Sequence, residues 1–237
     1  MRDLLQLWLA STSSGKLREF REAGLLRGVR VHALPGINEM APCIEDGSTF
    51  EENARKKAVY YSQVAEDLVF ADDSGLCVDV LGGAPGVFSA RFSGEGASDA
   101  ANNSKLLEKL RRVMDSGNWS GDSIALRTSR PLPPATAHYV CVIVLAERGT
   151  ILTVTTGRAD GVIIEQPRGT GGFGYDPYFF YPPLGSTFAE LSPEAKFAVS
   201  HRGEAFRKLL DFLETSRGSR CTGDAAAPRW VAENQRE

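Results

Sequence analysis

Two adjacent acids, Asp72 and Asp73, close the apolar run 68–71 and are followed by Ser74-Gly75. Carboxylates at the end of a buried strand are costly unless paired, and a divalent cation would offset that cost. An all-oxygen donor set suits Mg2+. Neighbouring side chains diverge in extended chain, so one acid would face the metal while the other anchors the loop. Glu45, within Cys43-Ile44-Glu45-Asp46-Gly47, could supply another carboxylate. The plainer alternative is a turn with solvated acids.

Three other segments could carry chemistry. Ser11-Thr12-Ser13-Ser14-Gly15-Lys16 lies between a short apolar run and a helical pattern. Such a loop offers backbone N–H groups, hydroxyls and one cation to phosphate. It is not a P-loop, because Leu17 stands where Ser or Thr is needed and position 10 is not glycine. Gly169-Thr170-Gly171-Gly172-Phe173-Gly174 spells GxGxxG, but Pro177, Pro182 and Pro183 prevent the helix that a dinucleotide fingerprint requires. Its Phe173 and Tyr175 suit a flat ring stacking on an aromatic face. Lys196 and Ser200-His201-Arg202-Gly203 sit between two helical patterns. His201 and Arg202 can both donate to a carbonyl oxygen.

The elements that must position these residues follow from periodicity. Residues 6–10 and 29–34 read as strands, with a helix between them. Residues 49–64 read as a helix capped by Ser48 or Thr49. A strand over 68–71 runs into the two acids, and 76–80 continues as extended chain. Gly82-Gly83-Ala84-Pro85-Gly86 must be a turn. A helix begins at a Ser98 cap and runs to 114. Residues 115–137, with Pro131, Pro133 and Pro134, read as a loop. Strands over 137–147 and 150–158 pair around Arg148-Gly149, and 161–164 extends the sheet. Helices over 193–199 and 203–214 follow, and 216–237 reads as a flexible polar tail.

Composition excludes several classes. The 237 residues are 42% hydrophobic and 24% charged, which fits a globular protein. A net charge of −3 argues against a chain whose affinity comes from gripping nucleic acid or an anionic membrane. No apolar run is long enough to suggest a membrane span. Cys43, Cys77, Cys141 and Cys221 are far apart and form no CxxC pair, which fits a reducing cytoplasm.

Taken together, the segments 9–20, 49–58, 71–76, 81–91, 169–180 and 200–203 resemble the inosine triphosphate pyrophosphatase family, the dITP/XTP diphosphatases. The resemblance implies an elongated α/β fold, with a mixed sheet flanked by helices and two lobes around a central cleft. A single pyrophosphatase domain over 1–215 would carry it. It implies hydrolysis of dITP, ITP and XTP to the monophosphate and pyrophosphate, with Mg2+, by a homodimer. Asp73 matches the proton acceptor and a metal ligand, and Glu45 matches a second metal-binding acid. Ser11 to Lys16 match the triphosphate loop, Asn53 and Lys57 a pair facing the phosphates, and Ser74 a substrate-binding serine. Phe173, Gly174, Tyr175 and Asp176 match the base-binding loop, and Lys196, His201 and Arg202 the remaining nucleotide contacts. The chain departs from the family at Ser11-Thr12-Ser13, where Thr-Gly-Asn is usual. Two alternatives stay open: a related pyrophosphatase of the septum-inhibitor (Maf-like) group, and a nucleotide-binding protein without activity.

Overall fold

A computed structural model describes residues 4–116 and 134–218. The expected loop over 117–133 and the tail beyond 218 lie outside the described residues. Seven strands form one mixed sheet: β1 (Leu5–Leu9), β2 (Val29–Ala33), β3 (Val69–Val78), β4 (Ala135–Glu147), β5 (Thr150–Ile163), β6 (Phe179–Tyr181) and β7 (Ser186–Thr187). The sheet order is β2-β1-β3-β4-β5-β6-β7. β1 pairs in parallel with β2 (Leu7↔Val31) and β3 (Leu9↔Phe70), whereas β6 pairs antiparallel with β5 and β7. The helices are α1 (Ser14–Leu25), α2 (Phe50–Ser62), α3 (Asp99–Ser116), α4 (Pro193–Val199) and α5 (His201–Gly218). This is the α/β class, a mixed sheet flanked by helices, that the resemblance implies.

The chain divides into two compact units, each assembled from separate stretches. The first comprises 1–73, 141–157 and 201–237, and the second 74–140 and 158–200. In the first unit Phe20 of α1 meets Phe70 edge-on at 5.1 Å and Phe206 of α5 at 4.9 Å. Gly24 lets α1 lie close to β2, since a Cβ there would stand 2.9 Å from the Val29 carbonyl oxygen. In the second unit Leu76, Leu106, Leu110, Tyr139, Phe179 and Phe188 form the centre of the apolar cluster.

Local signals explain the helix starts. The Ser13 hydroxyl accepts the Lys16 N–H, and Thr49 accepts the Glu52 N–H. Glu51 and Glu52 in the first turn of α2 also favour the positive end of its dipole. Arg148 and Gly149 both have positive φ, 47° and 81°, as a two-residue type I′ turn requires.

Three expectations are corrected. The acids do not end a strand: β3 runs unbroken from Val69 to Val78, with Asp72 and Asp73 inside it. β5 likewise runs through residues 158–161 without the break expected there. Residues 135–137 belong to β4 rather than to a loop.

The start of α5 is held tightly against β5. The Thr155 hydroxyl donates to the Ala205 carbonyl at 2.9 Å. A Cβ on Gly157 would lie 2.0 Å from the His201 carbonyl oxygen and 2.6 Å from the Ala205 nitrogen. Gly157→Ala must therefore push the first turn of α5 outward. A loss of about 1–3 kcal/mol, typical of overpacking, is expected. A thermal melt that matches the parent would show that the turn yields freely.

Candidate functional site

In the first unit β3 presents its two acids to different partners, as alternation along a strand requires. Asp72 is 1% exposed. Its Oδ2 receives the Lys16 ammonium at 2.9 Å and lies 3.8 Å from Arg202 Nε. Arg202, also buried, places a second nitrogen 2.5 Å from Glu19 Oε2. Asp73 meets α2 instead. Asn53 Nδ2 donates to Asp73 Oδ2 at 3.2 Å, and the Lys57 ammonium stands 3.5 Å from Oδ1. The same ammonium is 2.9 Å from Glu45 Oε2.

Asn53 and Lys57 reach Asp73 because they share the inward face of α2 with Ala54, Ala58 and Tyr61. At i and i+4 they lie one above the other. That same helix straps down the irregular segment carrying Glu45. Asn53 Oδ1 accepts the Gly47 N–H at 2.8 Å, Tyr60 donates to the Ala41 carbonyl at 3.1 Å, and the Tyr61 hydroxyl accepts the Cys43 N–H at 3.3 Å. Lys56 pairs with Asp46.

The environments push the two aspartates apart. Burial raises the Asp72 carboxyl, but Lys16, Arg202 and Lys57 more than reverse this and hold it below the usual carboxylate range. Burial of Asp73 is opposed less completely by Lys57 and Lys16, so its proton affinity is raised. Burial works against the Lys57 charge, yet Asp73 and Glu45 keep its proton bound more firmly than usual. The two adjacent acids thus sit in different electrostatic surroundings.

Glu45 and Asp73 already share one cation, the Lys57 ammonium, and both offer hard oxygen donors. That chemistry fits Mg2+. Among the described residues no group of three or more His, Cys, Asp and Glu side chains forms a ready metal centre. Mg2+ commonly binds through one or two carboxylates and keeps its other positions for water and phosphate.

Ser11 to Lys16 form the loop and first turn of α1. Ser11 Oγ accepts the Ser13 N–H at 3.2 Å, and no acid lies in the first helical turn to compete for an anion. The Lys16 side chain is not a free surface cation, because Asp72 already engages it. His201 is the first residue of α5 and is buried.

In the second unit the Gly-rich segment is a turn rather than a helix start. Gly172 has φ +70°, and a Cβ there would fall 2.0 Å from Asp176 Oδ2. Asp176 Oδ2 accepts the Phe173 N–H at 2.9 Å and the Lys196 ammonium at 2.6 Å. The Lys196 nitrogen also lies 4.7 Å from the Phe173 ring centre, within cation–π range. Phe173 is 36% exposed and available to stack. Tyr175 is not: it is 4% exposed, joins the apolar cluster, and its hydroxyl donates to the Ser89 carbonyl at 2.8 Å. Of the two rings expected to meet a base, the structure leaves Phe173 accessible and buries Tyr175. Ser74 is half-buried at the first position of this unit.

The first unit thus gathers Lys16, Glu45, Asn53, Lys57, Asp73 and Arg202, and the second gathers Phe173, Gly174, Tyr175, Asp176 and Lys196. Sequence reasoning missed Glu19, which holds Arg202. The only signal was its i, i+3 spacing from Lys16 on α1.

The profile of the Ham1 family matches residues 7–212. A protein of Geobacter sulfurreducens named dITP/XTP pyrophosphatase is 45% identical over 212 residues, covering 89% of this chain and 97% of its own. One of the same name from Geobacillus kaustophilus is 43% identical over 204 residues, covering 86% and 92%. The solved structure of a HAM1 protein from Coxiella burnetii superposes with a TM-score of 0.72 at 39% identity, covering 89% of this chain and 99% of that one. The Staphylococcus aureus Ham1 protein gives 0.70 at 37% identity, covering 89% and 98%.

Proposed function

Because this chain belongs to the Ham1 family, we propose that it hydrolyses purine nucleoside triphosphates bearing a 6-keto base, dITP, ITP and XTP, to the monophosphate and pyrophosphate. The observation that carries the reading is the placement of the two acids of β3: Asp72 is engaged by Lys16 at 2.9 Å, while Asp73 faces Asn53 and the Lys57 ammonium that it shares with Glu45.

The first unit performs the phosphate chemistry. The backbone N–H groups of Ser14 and Gly15 and the hydroxyls of Ser11, Thr12 and Ser13 bind phosphate oxygens, as a helix N-terminus does. Lys16 and Lys57 add positive charge. Asp73 orients the attacking water and takes its proton as the water reaches the α-phosphorus, and the pyrophosphate leaves in line. Asp72 stays ionised and holds Lys16 and Arg202 in place. Glu19, Glu45, Asp72 and Asp73 outnumber Lys16, Lys57 and Arg202, so a triphosphate needs further positive charge to bind at this site. Glu45 and Asp73 would hold Mg2+, which when bound would supply that charge and lower the pKa of a bound water.

Base recognition falls to Phe173, Gly174 and their neighbours, with His201 and Arg202. The Phe173 ring stacks on the purine, Gly174 permits close approach, and Lys196 and Asp176 contact the nucleotide together with Ser74. His201 and Arg202 donate to the 6-keto oxygen. An adenine amino group would meet those donors unsatisfied, at a cost of about 1–3 kcal/mol for each mismatch.

The proposal extends to a homodimer in the cytoplasm acting on free nucleotides rather than on nucleic-acid polymers or membranes. A net charge of −3 supports the last point. Among the described residues, no helix is long and apolar enough to cross a membrane. Purified protein with Mg2+ is expected to release pyrophosphate from dITP at least about fivefold faster than from dATP, the lower end for one buried mismatch, and faster than from dTTP, whose smaller ring offers Phe173 less area to stack on. Equal rates on all of them would overturn the base assignment.

A further inference from the structure

We infer that α3 sets the base-binding loop from behind through Asp99 and Asn103, two positioning residues that grip a single glycine. Asp99 Oδ2 accepts the Gly174 N–H at 2.7 Å, and Asn103 Nδ2 donates to the Gly174 carbonyl at 2.9 Å. At i and i+4 the two side chains rise from the same face of the helix. Between them they hold the peptide groups on both sides of Gly174, whose φ of +63° makes it the pivot of the turn.

The rest of the loop shows why this grip matters. The Phe173 N–H is tied to Asp176 Oδ2, and the Asp176 N–H returns to the Phe173 carbonyl at 3.3 Å. Tyr175 is anchored below on Ser89. These bonds tie the loop to itself and to the apolar cluster. The Gly174 bonds are the ones that tie its pivot to a helix, and the residue next to that pivot is Phe173. The angle at which the Phe173 ring is offered thus depends on α3.

Asn103 itself favours this role over simple packing. It is 7% exposed, and its Oδ1 meets no donor among the described residues. A buried acceptor left in that state costs stability. An apolar side chain would avoid the cost, but only a donor can hold the Gly174 carbonyl. Asp99 by contrast is exposed, so replacing it leaves the core untouched.

The inference rests on Phe173 being the ring that meets the base. The test is steady-state kinetics with dITP and dTTP on five variants. Asp99→Ala and the near-isosteric Asn103→Asp each remove one bond, and the second turns the donor into an acceptor facing a carbonyl. Each is expected to raise KM for dITP on the order of fivefold, the worth of one net hydrogen bond. The kcat should stay within about twofold, and the preference for dITP over dTTP should fall. Asp99→Asn keeps an acceptor and is expected to restore the parent KM. The double variant Asp99→Ala/Asn103→Asp should lose less than the product of the two single effects, because both act through one glycine. Phe173→Ala separates the two levels. If it raises KM while Asp99→Ala and Asn103→Asp do not, the positioning role is overturned and the base assignment stands. If Phe173→Ala leaves KM and base preference unchanged, the base assignment fails and the positioning role fails with it. Should Asn103→Asp fold poorly, the exposed Asp99 pair, Ala against Asn, decides the matter alone.

Discussion

Asp73→Asn is expected to bind ITP measurably and to release pyrophosphate about 10²–10⁴-fold more slowly, the range lost with a general base. The exchange keeps the shape of the side chain and removes its basicity. Asn53 can still donate to the remaining side-chain oxygen, and Lys57 keeps Glu45 at 2.9 Å, so the fold should hold. None of the residues assigned to the base is changed. Isothermal titration with ITP and a pyrophosphate assay in excess Mg2+ read the two effects separately. If Asp73→Asn keeps more than about a tenth of parent turnover, above what that range allows, then Asp73 is not the base and Glu45 takes its place.

Arg202→Met is expected to be the most destabilising of the substitutions considered. The guanidinium is 3% exposed and lies between Glu19 and Asp72. Burial works against its charge, yet those two acids hold its proton more firmly than usual. Removing the cation leaves the buried Asp72 and the half-buried Glu19 with one partner fewer. Breaking such a pair costs about 3–5 kcal/mol, which for a chain of this size lowers the melting midpoint on the order of 10 °C. Glu19→Gln should recover part of that loss in the Met background, since it removes one stranded charge. A melting curve unchanged by Arg202→Met would show that Asp72 depends on Lys16 alone.

Much of this was legible in the chain. The helix starts at Thr49 and Ser98 are local events, in which a hydroxyl accepts an N–H three residues on, so a short window suffices. The ordered motifs named the family because they are short stretches whose residue types are tied to ligands. What eluded sequence reasoning was long-range. Asp72-Asp73-Ser74-Gly75 looked like the end of a strand because two acids rarely lie inside one. They lie inside β3 because Lys16, Lys57 and Arg202 arrive from distant parts of the chain. Tyr175 looked like a partner of Phe173 for a flat ring. Its burial follows from Ser89, 86 positions away. Asp99 and Asn103 have the spacing of a solvated helix face, and only their contact with Gly174 separates them from one.

The central claim is cleavage between the α and β phosphates, and 31P NMR of the products tests it most directly. The purified protein with dITP and Mg2+ is expected to yield dIMP and pyrophosphate in equal amounts, with no orthophosphate formed early. Appearance of dIDP with orthophosphate would place the attack at the γ-phosphorus and contradict the roles of Asp73 as base and Lys57 as its charged neighbour.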